Sequence, residues 1–174
     1  MELKELLTTY WSQVTLILIA IGYFVKRLLD IKSRKIEINH SLFQTNRITS
    51  VNNFFSNYSK VDLMWDQIAI YDIFLRKLTA NEIDRIIIPP LNDLKRSLLE
   101  LKIYFKPEEY KYFDELGIGL SSINGKLSRL YFNVEGEIDV DRKIFEFGKF
   151  KSDVVMRNKE LMDDLCEMLK KKFY

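Results

Sequence analysis

The chain has one cysteine and one histidine, and those counts close off much familiar chemistry. Cys166 alone can form neither an intramolecular disulfide nor a cysteine-built metal site, and it fits a reducing compartment. His40 alone removes Cys/His zinc clusters, paired-histidine metal sites and most triads that place a histidine beside a nucleophile. It sits in a polar, basic stretch, which reads as an exposed side chain and not as a catalytic base. Proline and glycine are scarce as well, at three and six, and neither occurs between Tyr23 and Ile88. Nothing therefore cuts that stretch into short strands and hairpins. No internal repeat, low-complexity linker or heptad pattern sustained long enough to signal a coiled coil is evident.

Charge of either sign is nearly balanced, with a formal net charge of +2, which argues against a general nucleic-acid binder. Its distribution is uneven. From Lys26 to Lys60 seven basic residues (Lys26, Arg27, Lys32, Arg34, Lys35, Arg47 and Lys60) face two acids, Asp30 and Glu37. That excess directly follows the most hydrophobic run, Val14 to Val25, which carries no charge. Extended back to Leu6 across Tyr10 and Trp11, the uncharged stretch reaches about 20 residues, roughly 30 Å of helix and the depth of a bilayer's hydrocarbon core. Tyr10 and Trp11 at one end, and Tyr23 and Phe24 at the other, suit the lipid–water boundary. The spacing predicts a transmembrane anchor over about residues 6–25. Thr8, Thr9, Ser12, Gln13 and Thr15 keep a buried core helix as the competing reading. A cleaved signal peptide at Ala20-Ile21-Gly22 is disfavoured because the basic cluster follows the apolar run instead of preceding it. The positive-inside tendency places the downstream part in the cytoplasm, at the inner membrane of the cell.

After the anchor and a basic juxtamembrane helix (1–39), residues 40–174 read as one all-α domain, giving a bundle of about four to five helices. Ile48, Val51, Phe55, Tyr58, Val61, Trp65, Ile68, Tyr71, Leu75 and Leu78 recur at three- and four-residue spacings, one face of a long helix. The Asn, Ser and Thr of Asn39 to Lys60 weaken it, and a break is expected between Asn39 and Asn46. Thr79 and Glu82 have the spacing of a capping box that starts a new helix. Pro89-Pro90 is expected to end it, with a further apolar face over Leu91, Leu94, Leu98, Leu101 and Phe105. Pro107, Glu108 and Glu109 suit the first turn of another helix, with Tyr110, Phe113, Leu116, Leu120, Ile123, Leu127 and Leu130 on its apolar face. Gly117, Gly119 and Gly125 fall inside that periodicity and read as small faces for close packing. Asn133 to Glu137 reads as a connection. From Asp139 the positions Val140, Ile144, Phe147, Phe150, Val154, Leu161, Leu165 and Leu169 predict a last helix closed by Lys170, Lys171 and Lys172.

No residue earns nomination as catalytic, cofactor-binding or metal-ligating. Gly117-Ile118-Gly119 lies in a helical pattern, whereas phosphate-cradling glycine loops follow a strand. Glu135, Glu137, Asp139 and Asp141 lack the closing glutamate of a calcium loop and read as a solvated helix start. The Tyr, Lys and Phe alternation of Tyr104 to Phe113, which stacking on single strands would also suit, reads as core packing beside exposed lysines.

Phe24-Val25-Lys26-Arg27 closing the anchor, Leu42-Phe43 leading a polar helix and the segment Phe105-Lys106-Pro107-Glu108-Glu109-Tyr110 together resemble a loose group of uncharacterised bacterial single-pass membrane-anchored helical proteins. The resemblance covers the first three-quarters of the chain, implies a role in phage defence or mobile elements, and transfers no functional residue. The leading expectation is a non-enzymatic, membrane-tethered interaction or adaptor protein without cofactors. It would touch lipid through the anchor and Lys26, Arg27, Lys32, Arg34 and Lys35, and bind a protein partner or itself, not nucleic acid. The alternative is an oligomerising, membrane-perturbing effector whose polar-studded helix, with Thr8, Ser12, Gln13 and Thr15, bonds across copies in lipid. An enzyme whose carboxylates assemble only in three dimensions is the third.

Overall fold

The computed structural model describes residues 3–132 and 139–173, with side chains described at all of these except 3, 4, 6–9 and 12. Among them every regular element is helical: α1 (Leu3–Gln67), α2 (Ile70–Phe74), α3 (Ala80–Leu101), α4 (Pro107–Phe132) and α5 (Val140–Phe173). The chain divides into two compact units, Met1–Asn46 and Arg47–Tyr174.

The second unit is the bundle, and its apolar stripes do the folding. The C-terminal part of α1 supplies Val51, Phe54, Val61 and Trp65, α4 supplies Phe113, Leu116, Leu120, Ile123, Leu127 and Leu130, and α5 supplies Phe147, Leu165 and Leu169. The α4 stripe buries at nearly every position its periodicity predicts. Aromatic edges tie the layers together. Phe54 of α1 meets Phe113 of α4 edge-on with centroids 5.0 Å apart, and Trp65 and Phe74 each lie 6.3 Å from Phe147 of α5.

The helix termini follow local chemistry. At α3 the Thr79 hydroxyl accepts from the Glu82 N–H, while the Glu82 carboxylate accepts from the Thr79 N–H at 2.8 Å, the expected capping box. Pro107 opens α4, with the Glu109 carboxylate accepting from the Lys106 N–H at 3.0 Å. Lys170, Lys171 and Lys172 occupy the last turn of α5. α1 ends without glycine: Lys151 of α5 reaches across, donating to the Trp65 carbonyl at 2.7 Å and to Asp66 Oδ1 at 2.8 Å. A lysine thus satisfies a carbonyl the helix leaves open at its negative end.

Several expectations fail. The break between Asn39 and Asn46 is absent, since α1 is continuous there; low propensity costs only tenths of a kcal/mol per residue, about 0.7 at most, and no proline or glycine interrupts the backbone. Pro89-Pro90 does not end α3 but lies inside it. Ile83 and Ile87 before the prolines and Leu94 and Leu101 after them share one buried face, and that packing outweighs the missing amide bonds. The stripe beyond Trp65 is misplaced. α1 stops at Gln67, the chain turns through α2 and a left-handed Arg76 (φ 55°), and Ile73 and Phe74 are buried where Tyr71 and Leu75 were expected. Gly117 and Gly119 do allow close approach, because a Cβ would strike Leu98 and the Asn158 amide respectively, whereas Gly125 has open space beside it. The expected connection Asn133 to Glu137 lies outside the described residues.

The first unit is the N-terminal part of α1. Among the described residues no helix is long and apolar enough to cross a membrane, so the fold does not support an N-terminal transmembrane helix over about 6–25. The uncharged apolar run Val14 to Val25 covers roughly 18 Å as a helix, against a hydrocarbon core of about 30 Å. Gln13 and the hydroxyl residues before it, and Lys26, Arg27 and Asp30 after it, lower the hydropathy of any longer window.

Candidate interaction surface

Successive residues of a helix point about 100° apart, so four in a row sample every direction around its axis. Leu16, Ile17, Leu18 and Ile19 are four in a row, and each is between 59 and 67 % exposed. Ile21, Tyr23, Phe24 and Val25 continue the same pattern, each more than half exposed. An ordinary surface helix turns one apolar stripe inward and keeps the rest polar. Here the apolar surface goes all the way round and is covered by nothing within the unit. The Thr15 hydroxyl in this run is satisfied internally, donating to the Trp11 carbonyl at 2.8 Å.

Below that run the character changes. Lys26, Arg27, Lys32, Arg34 and Lys35 are all exposed on α1, interleaved with exposed Leu28, Leu29, Ile31, Ile36, Ile38 and Leu42. His40 is exposed too, its Nε2 3.4 Å from the Gln44 amide nitrogen. Two members of the basic run belong to the second unit and behave differently. Lys60 is exposed and bonds Asn57 Oδ1 at 3.3 Å. Arg47 is only 9 % exposed, its guanidinium 4.6 Å above the Phe173 ring, and its Nε finds no hydrogen-bond partner among the described residues. In the sequence Arg47 is only one of the basic excess after the apolar run. A long cationic side chain that buries its stem under an aromatic ring looks the same in sequence as one that does not.

Polar groups inside the bundle serve its packing. Asn158, 2 % exposed on α5, donates from Nδ2 to the Tyr58 hydroxyl and to the Leu116 carbonyl, each at 3.2 Å. Burial pushes the Tyr58 hydroxyl up, more than the Asn158 bond draws it down. Burial, reinforced by Asp66, also raises the Asp62 carboxyl, against the pull of Lys151. Glu109 is pushed up by burial but held below its ordinary value on balance, because Lys172 and the Lys106 N–H both donate to it. Burial raises Tyr110 as well, with Asp114 adding to it. Tyr58 and Asp62 lie one turn apart on α1 and act on each other, and Glu109 and Tyr110 are neighbours on α4. Among the described residues no group of three or more His, Cys, Asp or Glu side chains could hold a metal ion, and of the acidic run only Asp139 and Asp141 are described, neither of them in such a group. A groove of about 510 Å³ beside the end of α1 is lined by Leu63, Met64, Ile68, Leu78 and Ile86 together with Lys60 and Gln67.

No protein-family model, curated protein or solved structure matches the chain. The reading of its function therefore rests on its own residues, and the largest uncovered apolar surface is the N-terminal part of α1.

Proposed function

We propose that the chain is a non-enzymatic, membrane-tethered interaction protein, with the helix over about residues 6–25 embedded in lipid and the bundle presented at the cytoplasmic face. The observation that carries the reading is the exposure of Leu16 to Ile19 on every side of one helix. A helix apolar all round belongs in a protein core or in lipid, and within its own unit no core covers it. Supporting features flank it: Tyr23 and Phe24 at an expected headgroup level, then Lys26 and Arg27 for anionic lipid, with Lys32, Arg34 and Lys35 within reach of the same surface potential. The shortfall in apolar length is met by the uncharged residues from Leu6 to Gln13.

The test is fractionation. Full-length protein is expected to pellet with membranes and to resist carbonate extraction, while a fragment starting at Lys35 remains in the supernatant with a helical circular-dichroism spectrum. Release of the full-length chain by carbonate would overturn the lipid-embedded anchor.

A further inference from the structure

Because α1 is one continuous helix past Leu42, the register of its apolar residues extends over more heptads than the sequence reading credited. Val14, Ile17, Ile21 and Phe24 alternate at spacings of three and four, and the same register continues without a slip through Leu28, Ile31, Ile38 and Leu42. Lys35 holds the one position between Ile31 and Ile38 that is not apolar. This is the a/d seam of a coiled coil over roughly four heptads, the period at which a straight helix keeps facing a partner by supercoiling. Every apolar side chain of the seam from Ile17 to Leu42 is more than half exposed.

The residue types on the seam say what covers it. With Leu28 and Leu42 at a, and Ile31 and Ile38 at d, the packing preference moves from two strands to three or four. Leu29 and Ile36, at b, widen the apolar arc beyond what a single neighbour covers. Charge points the same way. In a two-stranded parallel pair, Arg27 at g would face Lys32 at e of the other copy, like against like. In a ring of three or four, the flank bearing Lys32 turns toward a wider flank of the neighbour, which carries Asp30 and Glu37 at c alongside Arg27 and Arg34, so that both signs of charge face the lysine. Lys35, a single cation at an a position, sets register at a cost in stability, as such residues do.

We propose that α1 assembles as a parallel homo-oligomer of three or four copies of this chain through the seam Leu28, Ile31, Ile38 and Leu42. The extension of the seam to Val14 rests on the lipid-embedded reading; the part from Leu28 to Leu42 does not. The experiment uses the full-length chain in the membranes of the cells that express it, on a Cys166→Ser background, with single cysteines oxidised to disulfides. Leu28→Cys, Ile31→Cys, Ile38→Cys and Leu42→Cys are expected to give at least fivefold more covalent dimer than Asp30→Cys, Ser33→Cys and Glu37→Cys. The double variant Leu28→Cys with Leu42→Cys is expected to give a ladder reaching three or four chains, lost when Ile38→Asp is added while helical circular dichroism is kept. Equal yields at all positions, or monomer throughout, would overturn the proposal, and a ladder stopping at two would overturn its stoichiometry. Disulfides to a different protein would replace self-association by an acidic foreign helix. Carbonate extraction of the same samples separates the two readings: heptad-periodic crosslinks in extractable protein defeat the anchor alone, and membrane-bound protein without them defeats the seam alone.

Discussion

Trp65 is the largest fully buried side chain of α1, and its ring lies 6.3 Å from that of Phe147 across the α1/α5 seam. Trp65→Ala is expected to cost about 3–5 kcal/mol, a large share of the 5–15 kcal/mol typical of a domain. Chemical denaturation of the fragment starting at Lys35 measures it. His40→Ala, at an exposed position of the first unit, is expected to leave both melting temperature and cellular activity unchanged. Asp62 gives a second test, through pH. Its carboxyl titrates higher in the folded chain than in the unfolded one, chiefly through burial. The native state therefore binds that proton more tightly, gains stability as pH falls through the raised value, and loses the gain as pH rises toward neutrality. Asp62→Asn should raise the melting temperature at pH 7, by an amount moderated by the exposed part of the side chain, and the advantage should shrink as pH drops toward about 4. Trp65 was legible in the sequence, since a large apolar residue on a three-and-four stripe has one sensible place to go. Asn158 was not: a lone asparagine on a charged helix reads as solvated, and only the approach of Gly119 and the bonds to Tyr58 and Leu116 mark it as interior.

At the scale of the element, starts were easier to read than ends. A helix start is set by side chains a few residues apart, so the Thr79/Glu82 box and Pro107 could be located from spacing alone. Thr79→Ala is expected to cost about 1 kcal/mol, measurable as a lowered urea midpoint with unchanged slope. Its pH dependence follows from Glu82, whose carboxyl is held below its ordinary value by the Thr79 N–H and hydroxyl. That stabilisation is present above the unfolded value and disappears as pH falls through the lowered one, so the gap between Thr79→Ala and the parent should narrow in acid by the hydroxyl–carboxylate bond alone. The residue-79 N–H still reaches Glu82 in the variant, and the Thr79 Oγ1 bond to the Glu82 N–H does not titrate. Ends depend on distant partners. α1 stops where Lys151, from a helix far along the chain, reaches the Trp65 carbonyl, and no local pattern encodes that. The two prolines of α3 were misread for the same reason, because burial of Ile83, Ile87, Leu94 and Leu101 on one face is a tertiary fact that overrides a local stop signal. The all-helical class and the α4 stripe needed no such partner and were fully legible.

At the scale of the whole molecule, the uncharged run and the basic excess after it were legible as neighbours in sequence. What composition could not supply was the state of that run, which is apolar on all sides and uncovered within its unit. Its orientation is the prediction that bears most directly on how the bundle would meet a partner. The positive-inside tendency counts Lys and Arg close to the ends of a membrane helix. On the downstream side Lys26, Arg27, Lys32, Arg34 and Lys35 fall within ten residues of Val25, against Lys4 alone upstream. A fluorescent reporter fused after Tyr174 should therefore mature in the cytoplasm, while a phosphatase that folds only outside it stays inactive at the same position. Replacing Lys26, Arg27, Lys32, Arg34 and Lys35 by glutamine, with three lysines added ahead of Leu6, should reverse both signals if charge sets the topology. An active phosphatase after Tyr174 in the unaltered chain would place the bundle on the opposite face and remove the cytoplasmic interaction surface from consideration. Two silent reporters beside intact protein in the membrane fraction would not be expected on either topology, because one of the two compartments must hold the C-terminal fusion.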